Sequence, residues 1–252
     1  GSIRANEGGV WFEPSDDAFD RLEFIAAPDG YRLHEAAISQ AGEAAALAFH
    51  PLEWAEGEKA RYAYWRLSDN QIQWLKGGPR TCTAIAVSED GKIGVGNLSG
   101  ALAVWPLSTM APVEVELGNV PVNALAFGLD HSIVIGGLMG VIERRALDDP
   151  LAVGPRTERV VGAIRDLEIG PDDSVFSVDV DGVRWFSPSL GYRGTVLNTE
   201  HQQISAFDAE FSRDGRELRV SMQTGTEVSI PLELEDWIAE ARRRVSTGAA
   251  EE

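Results

Sequence analysis

Carboxylates and one amide are the side chains of this 252-residue chain best suited to do chemistry. Asn123, Asp166, Glu168, Asp208 and Glu210 fall in short apolar segments, next to Leu, Ile, Ala or Phe. Carboxylates and amides that converge from several strands can hold a calcium ion, and a bound cation can polarise an ester for hydrolysis. The remaining candidates are thinner. His34, His50, His131 and His201 are isolated, without the HxxxH, HxH or Cys/His spacing that chelates a metal. Cys82 is the single cysteine, which excludes an internal disulfide and a multi-cysteine zinc site. It precedes an apolar strand and reads as a buried core thiol rather than a nucleophile. The acidic pairs Asp16-Asp17, Asp148-Asp149 and Asp172-Asp173 sit at turns and lack the alternating spacing with Gly of a calcium loop. No Gly-x-Ser-x-Gly elbow, phosphate loop or dinucleotide fingerprint occurs. The chain is therefore expected not to be an enzyme, and no cofactor is expected.

The elements that would position these residues repeat. Ala46–Pro51, Ala84–Gly91, Ala124–His131, Asp166–Asp173 and Asp208–Gly215 are imperfect copies of one pattern, with steps of 38, 40, 42 and 42 between their first residues. A near-constant period of this size predicts a propeller, one four-stranded blade per repeat. Each copy reads as an apolar strand, a turn marked by Asp, Gly or Pro, a short second strand, a second turn and a third strand with alternating apolar residues. The second turns are Ser68–Asn70, Asn97–Gly100, Leu138–Gly140, Val180–Gly182 and Gln223–Gly225. Gly or Asn there supplies the positive φ of a tight hairpin. Ala101–Trp105, Val183–Phe186 and Glu227–Ile230 read as third strands, and Val113–Leu117 as a fourth.

The sequence "small-apolar-small-aromatic-Ser-x-Asp-Gly" followed by "Gly-x-apolar-x-apolar-Trp", clearest over Ala84–Trp105 and Asp208–Gly215, resembles a degenerate WD-repeat β-propeller. The resemblance covers residues 43–232. No repeat ends in Trp-Asp, and the opening Gly-His pair is absent. It implies an all-β, WD-repeat-like propeller of five to six four-stranded blades, six favoured, followed by a short C-terminal helix. Leu234, Trp237, Ile238, Ala241 and Val245 share one face of such a helix. The stretch 232–242 resembles the helix after the last blade of bacterial WD-repeat proteins, in which the propeller is commonly attached to a signalling ATPase, kinase or other effector. The expected organisation is a tag remnant and disordered lead over 1–8, a propeller over 9–232, a helix over 233–245 and a disordered tail over 246–252. Gly1-Ser2 reads as a tag scar, which would leave more of the natural chain upstream. Gly9–Pro14 is expected to be an outer strand that closes the last blade.

Composition narrows the partners. A net charge of −18 argues against nucleic acid, because phosphate binding needs a basic surface. No apolar run is long enough to cross a membrane, and a lone cysteine fits a reducing compartment, so a cytoplasmic location is expected. The favoured function is a non-enzymatic interaction or sensor module for a protein or peptide, part of a larger bacterial signalling protein. Candidate contacts on one face are Leu98, Leu138, Met139, Asp181 and His201. The two leucines occupy matching positions, which favours tucking into the blade. Trp54, in a long acidic turn placed on the opposite face, is either an interface anchor or folded back on its own blade. The alternative function is a propeller resembling the six-bladed lactonases, with calcium held in the central channel by inner-strand carboxylates.

Overall fold

The computed structural model describes residues 2–6, 9–13, 23–39, 41–106, 111–118, 120–149, 152–157, 162–199, 206–212 and 215–232. Among them every element is a strand, and no helix is long and apolar enough to cross a membrane. β1 (Ser2–Asn6), β2 (Gly9–Glu13) and β3 (Glu23–Ala26) form an N-terminal sheet. Five blades of three to four strands follow. Blade 1 comprises β4 (Tyr31–Ile38), β5 (Ala44–Pro51), β6 (Arg61–Arg66) and β7 (Gln71–Trp74). Blade 2 comprises β8 (Ala84–Val87), β9 (Ile93–Gly96), β10 (Ala101–Trp105) and β11 (Val113–Glu116). Blade 3 has β12 (Val122–Phe127), β13 (Ser132–Gly137) and β14 (Ile142–Ala146). Blade 4 has β15 (Asp166–Ile169), β16 (Val175–Asp179), β17 (Gly182–Phe186) and β18 (Tyr192–Asn198). Blade 5 has β19 (Ala206–Phe211), β20 (Glu217–Met222) and β21 (Glu227–Pro231). Within each blade the strands are antiparallel and lie in chain order, so β4, β8, β12, β15 and β19 are innermost, each packed against the next.

Burial follows position in the blade. The second strands β9, β13 and β16 are buried at every residue, because each has a hydrogen-bonded neighbour on both edges and a blade against both faces. The outermost β7 is exposed at every residue. Three of the turns after the innermost strand share one design. Ser39, Ser88 and Ser212 each accept a backbone N–H with the hydroxyl, and Gly42, Gly91 and Gly215 take the positive φ three residues on. His131 and Asp173 hold the same left-handed position in blades 3 and 4.

Several expectations are corrected. The favoured count of six gives way to five repeat blades, because Gly9–Glu13 pairs with β1 and β3 rather than closing the last blade against β21. The lead expected to be disordered contributes β1. The expected helix over 233–245 and the tail beyond it lie outside the described residues. The copy that starts at Ala46 is not a first strand: β4 pairs inside it, so it is the second strand of blade 1. Its unbroken apolar run, Ala44–Phe49, marks burial on both faces, which is a second-strand property.

Each innermost strand is tied to the next by a side chain just before its start or within it. Thr83 Oγ1 donates to the Val122 carbonyl at 2.6 Å. Asn123 Nδ2 donates to the Ile164 carbonyl, and Arg165 Nη1 to the Ala206 carbonyl at 3.1 Å. In blade 1 the matching residue, His34, bonds the Cys82 backbone. An innermost strand is the edge of its own sheet, so these donors satisfy carbonyls that its ladder leaves open. Size complementarity runs beside the ties. A Cβ on Gly96 would meet Val122 at 2.2 Å, and one on Gly136 would meet Ile164 at 2.5 Å.

Two outcomes follow for urea unfolding. Gly136→Val is expected to destabilise the chain by about 1–3 kcal/mol through overpacking. The double change with Ile164→Ala should recover part of that loss. Asn123→Leu is expected to cost about 1–3 kcal/mol by orphaning a carbonyl. An unchanged midpoint in either single variant would contradict this account of the blade junctions.

Candidate functional site

The innermost strands run in one sense, which gives the propeller two distinct faces. On the upper face the chain runs into each innermost strand, and the turns between second and third strands lie there too. The turns after the innermost strands form the lower face. On the upper face those second-to-third turns bring apolar side chains into solvent at the same position in three successive blades. Leu98 is 48% exposed, Leu138 39% and Met139 66%, and Val180 stands at the matching place in blade 4. The expectation that the leucines tuck into their blades is therefore corrected.

The turns are held from below, which leaves their tips to point outward. Asn97 Oδ1 accepts the Ser99 and Ala101 N–H groups at 3.0 Å each. Asp179, fully buried, does the same work in blade 4, accepting the Asp181 N–H at 2.8 Å and pairing with Arg184. Asp181 itself stands 3.9 Å from Arg184, so its carboxylate belongs to the turn's own ion-pair group. His201 lies outside the described residues. Blade junctions anchor the turns further, since the Val122 N–H donates to the Asn97 carbonyl at 2.9 Å and the Ile164 N–H to that of Gly137 at 3.2 Å.

Trp54 joins this same face. Because β5 is a second strand, the loop 52–60 that follows it is a second-to-third connection. The Leu52 N–H donates to Gly30, just before β4, and the Ala60 N–H to Arg80, just before β8. The opposite-face placement is thus corrected. Trp54 is 44% exposed, lies edge-on to His50 at 5.2 Å between ring centres, and has the Arg80 guanidinium 5.9 Å from its ring. His50 in turn stacks on His34 at 3.8 Å. The two imidazoles clamp the backbone of Cys82: its N–H donates to His50 Nε2 at 3.1 Å, while His34 donates to its carbonyl. Burial, then the charges of His34 and Arg32, push the His50 pKa down to about 4, which keeps Nε2 free to accept. The Cys82 thiol is fully buried, and burial raises its pKa above the usual range.

Sequence reasoning missed Leu52 and Val180. Val180 was legible, since Asp179-Val180-Asp181-Gly182 matches Asn97-Leu98-Ser99-Gly100 position by position.

The inner-strand carboxylates gather on one side of the axis. Glu35 on β4, Asp166 and Glu168 on β15 and Asp208 on β19 influence one another, while β8 and β12 offer alanines at the matching positions. Desolvation and then the charge of Asp208 push Asp166 up to about 7, although the Ala209 N–H donates to it at 2.9 Å. Burial and the neighbouring carboxylates raise Glu168 well above its ordinary value, and burial and Asp208 raise Glu35. Asn123, counted with them from the sequence, is committed to the Ile164 carbonyl. Among the described residues no group of three or more His, Cys, Asp or Glu side chains is arranged to hold a metal ion.

The fold defines a β-propeller. No known family model matches the chain, and no curated protein matches it. Among solved structures, a chain of the crystal structure of the mitotic checkpoint complex is similar in fold, with a TM-score of 0.61 and 15% sequence identity over 91% of this chain and 83% of that one.

Asp166 yields a pH test. Its folded pKa lies above its unfolded one, so the folded state holds a proton that the unfolded state releases. The stability this gives is present near pH 4 and lost as pH rises to about 7. Asp166→Asn should therefore raise the melting temperature at pH 8 and leave it near the parent's at pH 4. A gain of equal size at both values would show that the carboxyl is not held protonated.

Proposed function

We propose that this chain is a non-enzymatic interaction or sensor module, a WD-repeat-like propeller that binds a protein or peptide over its upper face. One observation carries the reading: Leu98, Leu138, Met139 and Val180 stand exposed at equivalent turn tips of three successive blades. Scattered single apolar residues on a surface need no explanation, but a row of them on rigid turns is what a partner buries. Trp54 at the same face adds an anchor of the type that dominates interface energetics. Among the described turns that follow the innermost strands, on the lower face, Leu129 is exposed singly beside Glu89, Asp90, Asp130 and Asp172.

The net charge of −18 supports a polypeptide partner over nucleic acid or an anionic membrane. The structural neighbour belongs to a complex of proteins, which agrees with this reading. Attachment to an effector domain in a larger bacterial signalling protein, and a cytoplasmic location, rest on the WD-repeat resemblance and the single buried thiol.

A photo-crosslinking amino acid placed at 139, at 98 and, as the control, at 129 tests the face. Cells of the source organism should yield discrete adducts from 139 and 98 and none from 129. Adducts from 129 alone, or none from the upper face, would overturn the reading.

A further inference from the structure

Beside the apolar turn tips of the upper face lies the mouth of the axis, and its two halves differ in chemistry. The Gly137 carbonyl, at the base of the Leu138-Met139 turn, accepts the Ile164 N–H, and Ile164 stands two residues before Asp166. The apolar tips of blade 3 therefore adjoin the strand that carries the first axial carboxylate. Asp166 and Glu168 are half-buried, Asp208 and Glu210 are exposed, and Glu35 approaches them from β4.

Among the described residues, two nearby cations are already engaged. Arg165 donates to the Ala206 carbonyl, and Arg219 stands 3.4 Å from Glu210 at the outer end of the group. Among the described residues, Asp166, Glu168 and Glu35 face burial and other carboxylates. Like charges crowded in a partly desolvated site destabilise one another, and an incoming ammonium or guanidinium relieves them.

Resting on the docking-face reading, we propose that the occupant of the upper face is a segment of another polypeptide with two features: apolar side chains that seat on Leu98, Leu138 and Met139, and a Lys or Arg that reaches Asp166 and Asp208 at the axis. β21 ends on the lower face, with the Leu232 N–H on the Arg216 carbonyl, opposite the proposed docking face.

Random 12-residue peptides displayed on phage and selected against the whole chain at pH 8 provide the test. Each selected sequence is then measured as a labelled synthetic peptide by fluorescence anisotropy. The receptors are the parent, Met139→Asp and the double variant Asp166→Asn/Asp208→Asn, each checked for folding by circular dichroism. Asparagine keeps an oxygen to accept the Ala209 N–H, so the double variant should fold. Selected peptides should share apolar residues and a Lys or Arg. Met139→Asp should weaken them at least tenfold, and the double variant at least fivefold. Affinity for the parent should rise between pH 6 and 8; this rise should shrink in the double variant, which keeps Glu168 and Glu35, and vanish when the peptide's basic residue becomes Gln. Peptides lost on Met139→Asp but indifferent to the double variant would overturn the basic anchor and leave the docking face standing. Peptides indifferent to both, or no enrichment above that on Met139→Asp, would overturn both.

Discussion

A propeller has to solve one problem that a sandwich does not: the innermost strand of every blade is a sheet edge turned toward the axis, with carbonyls that its own ladder leaves unpaired. Here the solution, in blades 1 to 4, is a donor side chain near the start of the innermost strand that reaches the next blade. Thr83, Asn123 and Arg165 fill this role with three different chemistries, and His34 fills it in blade 1. What they share is position and a hydrogen to donate, not residue type. Among the described residues the tie runs through four junctions. Beside it, the pairing of Gly96 with Val122 and of Gly136 with Ile164 lets successive blades approach at the level where the ties form.

The same junctions explain why the upper face can display apolar side chains at a fixed spacing. The turns of blades 2 and 3 are held by Asn97 or Gly137 below and by a hydrogen bond from the following blade, and that of blade 4 by Asp179, so their tips have no structural task. On the lower face the turn residues do have one. Arg144, almost wholly buried, reaches Asp130 in its own blade and Asp173 in the next, and the Leu129 N–H donates to Asp173. Glu89 likewise accepts the Ala41 N–H across the first junction. Much of the acid on that face holds blades together. Asp166 and Glu168 are different in kind, because among the described residues they meet other carboxylates rather than a cation.

Much of the fold was legible because turns carry strong local rules. A turn is expected at Ser88–Gly91 and at Ser212–Gly215, and at both the serine hydroxyl accepts a backbone N–H and the glycine is left-handed. The same signature at Ser39-x-x-Gly42 was available and would have placed the first blade correctly. It was outcompeted by the longer apolar run of Ala44–Phe49. The candidate contacts Leu98, Leu138 and Met139 were found from their register in the repeat, but their exposure was not. A leucine at a turn tip is compatible with either fate until its neighbours are known.

The sequence by itself determined the period, the strand and turn identities and hence the propeller, because hairpin geometry depends on residues close together in the chain. Only the tertiary structure decided which strand of blade 1 faces the axis. An apolar run reports burial on both faces and says nothing of rank within a sheet. That one decision moves Trp54 to the face of Leu98 and Met139. It was likewise tertiary packing, not residue type, that set Asp166 and Glu168 among other carboxylates and gave Asn123 a carbonyl in place of a ligand.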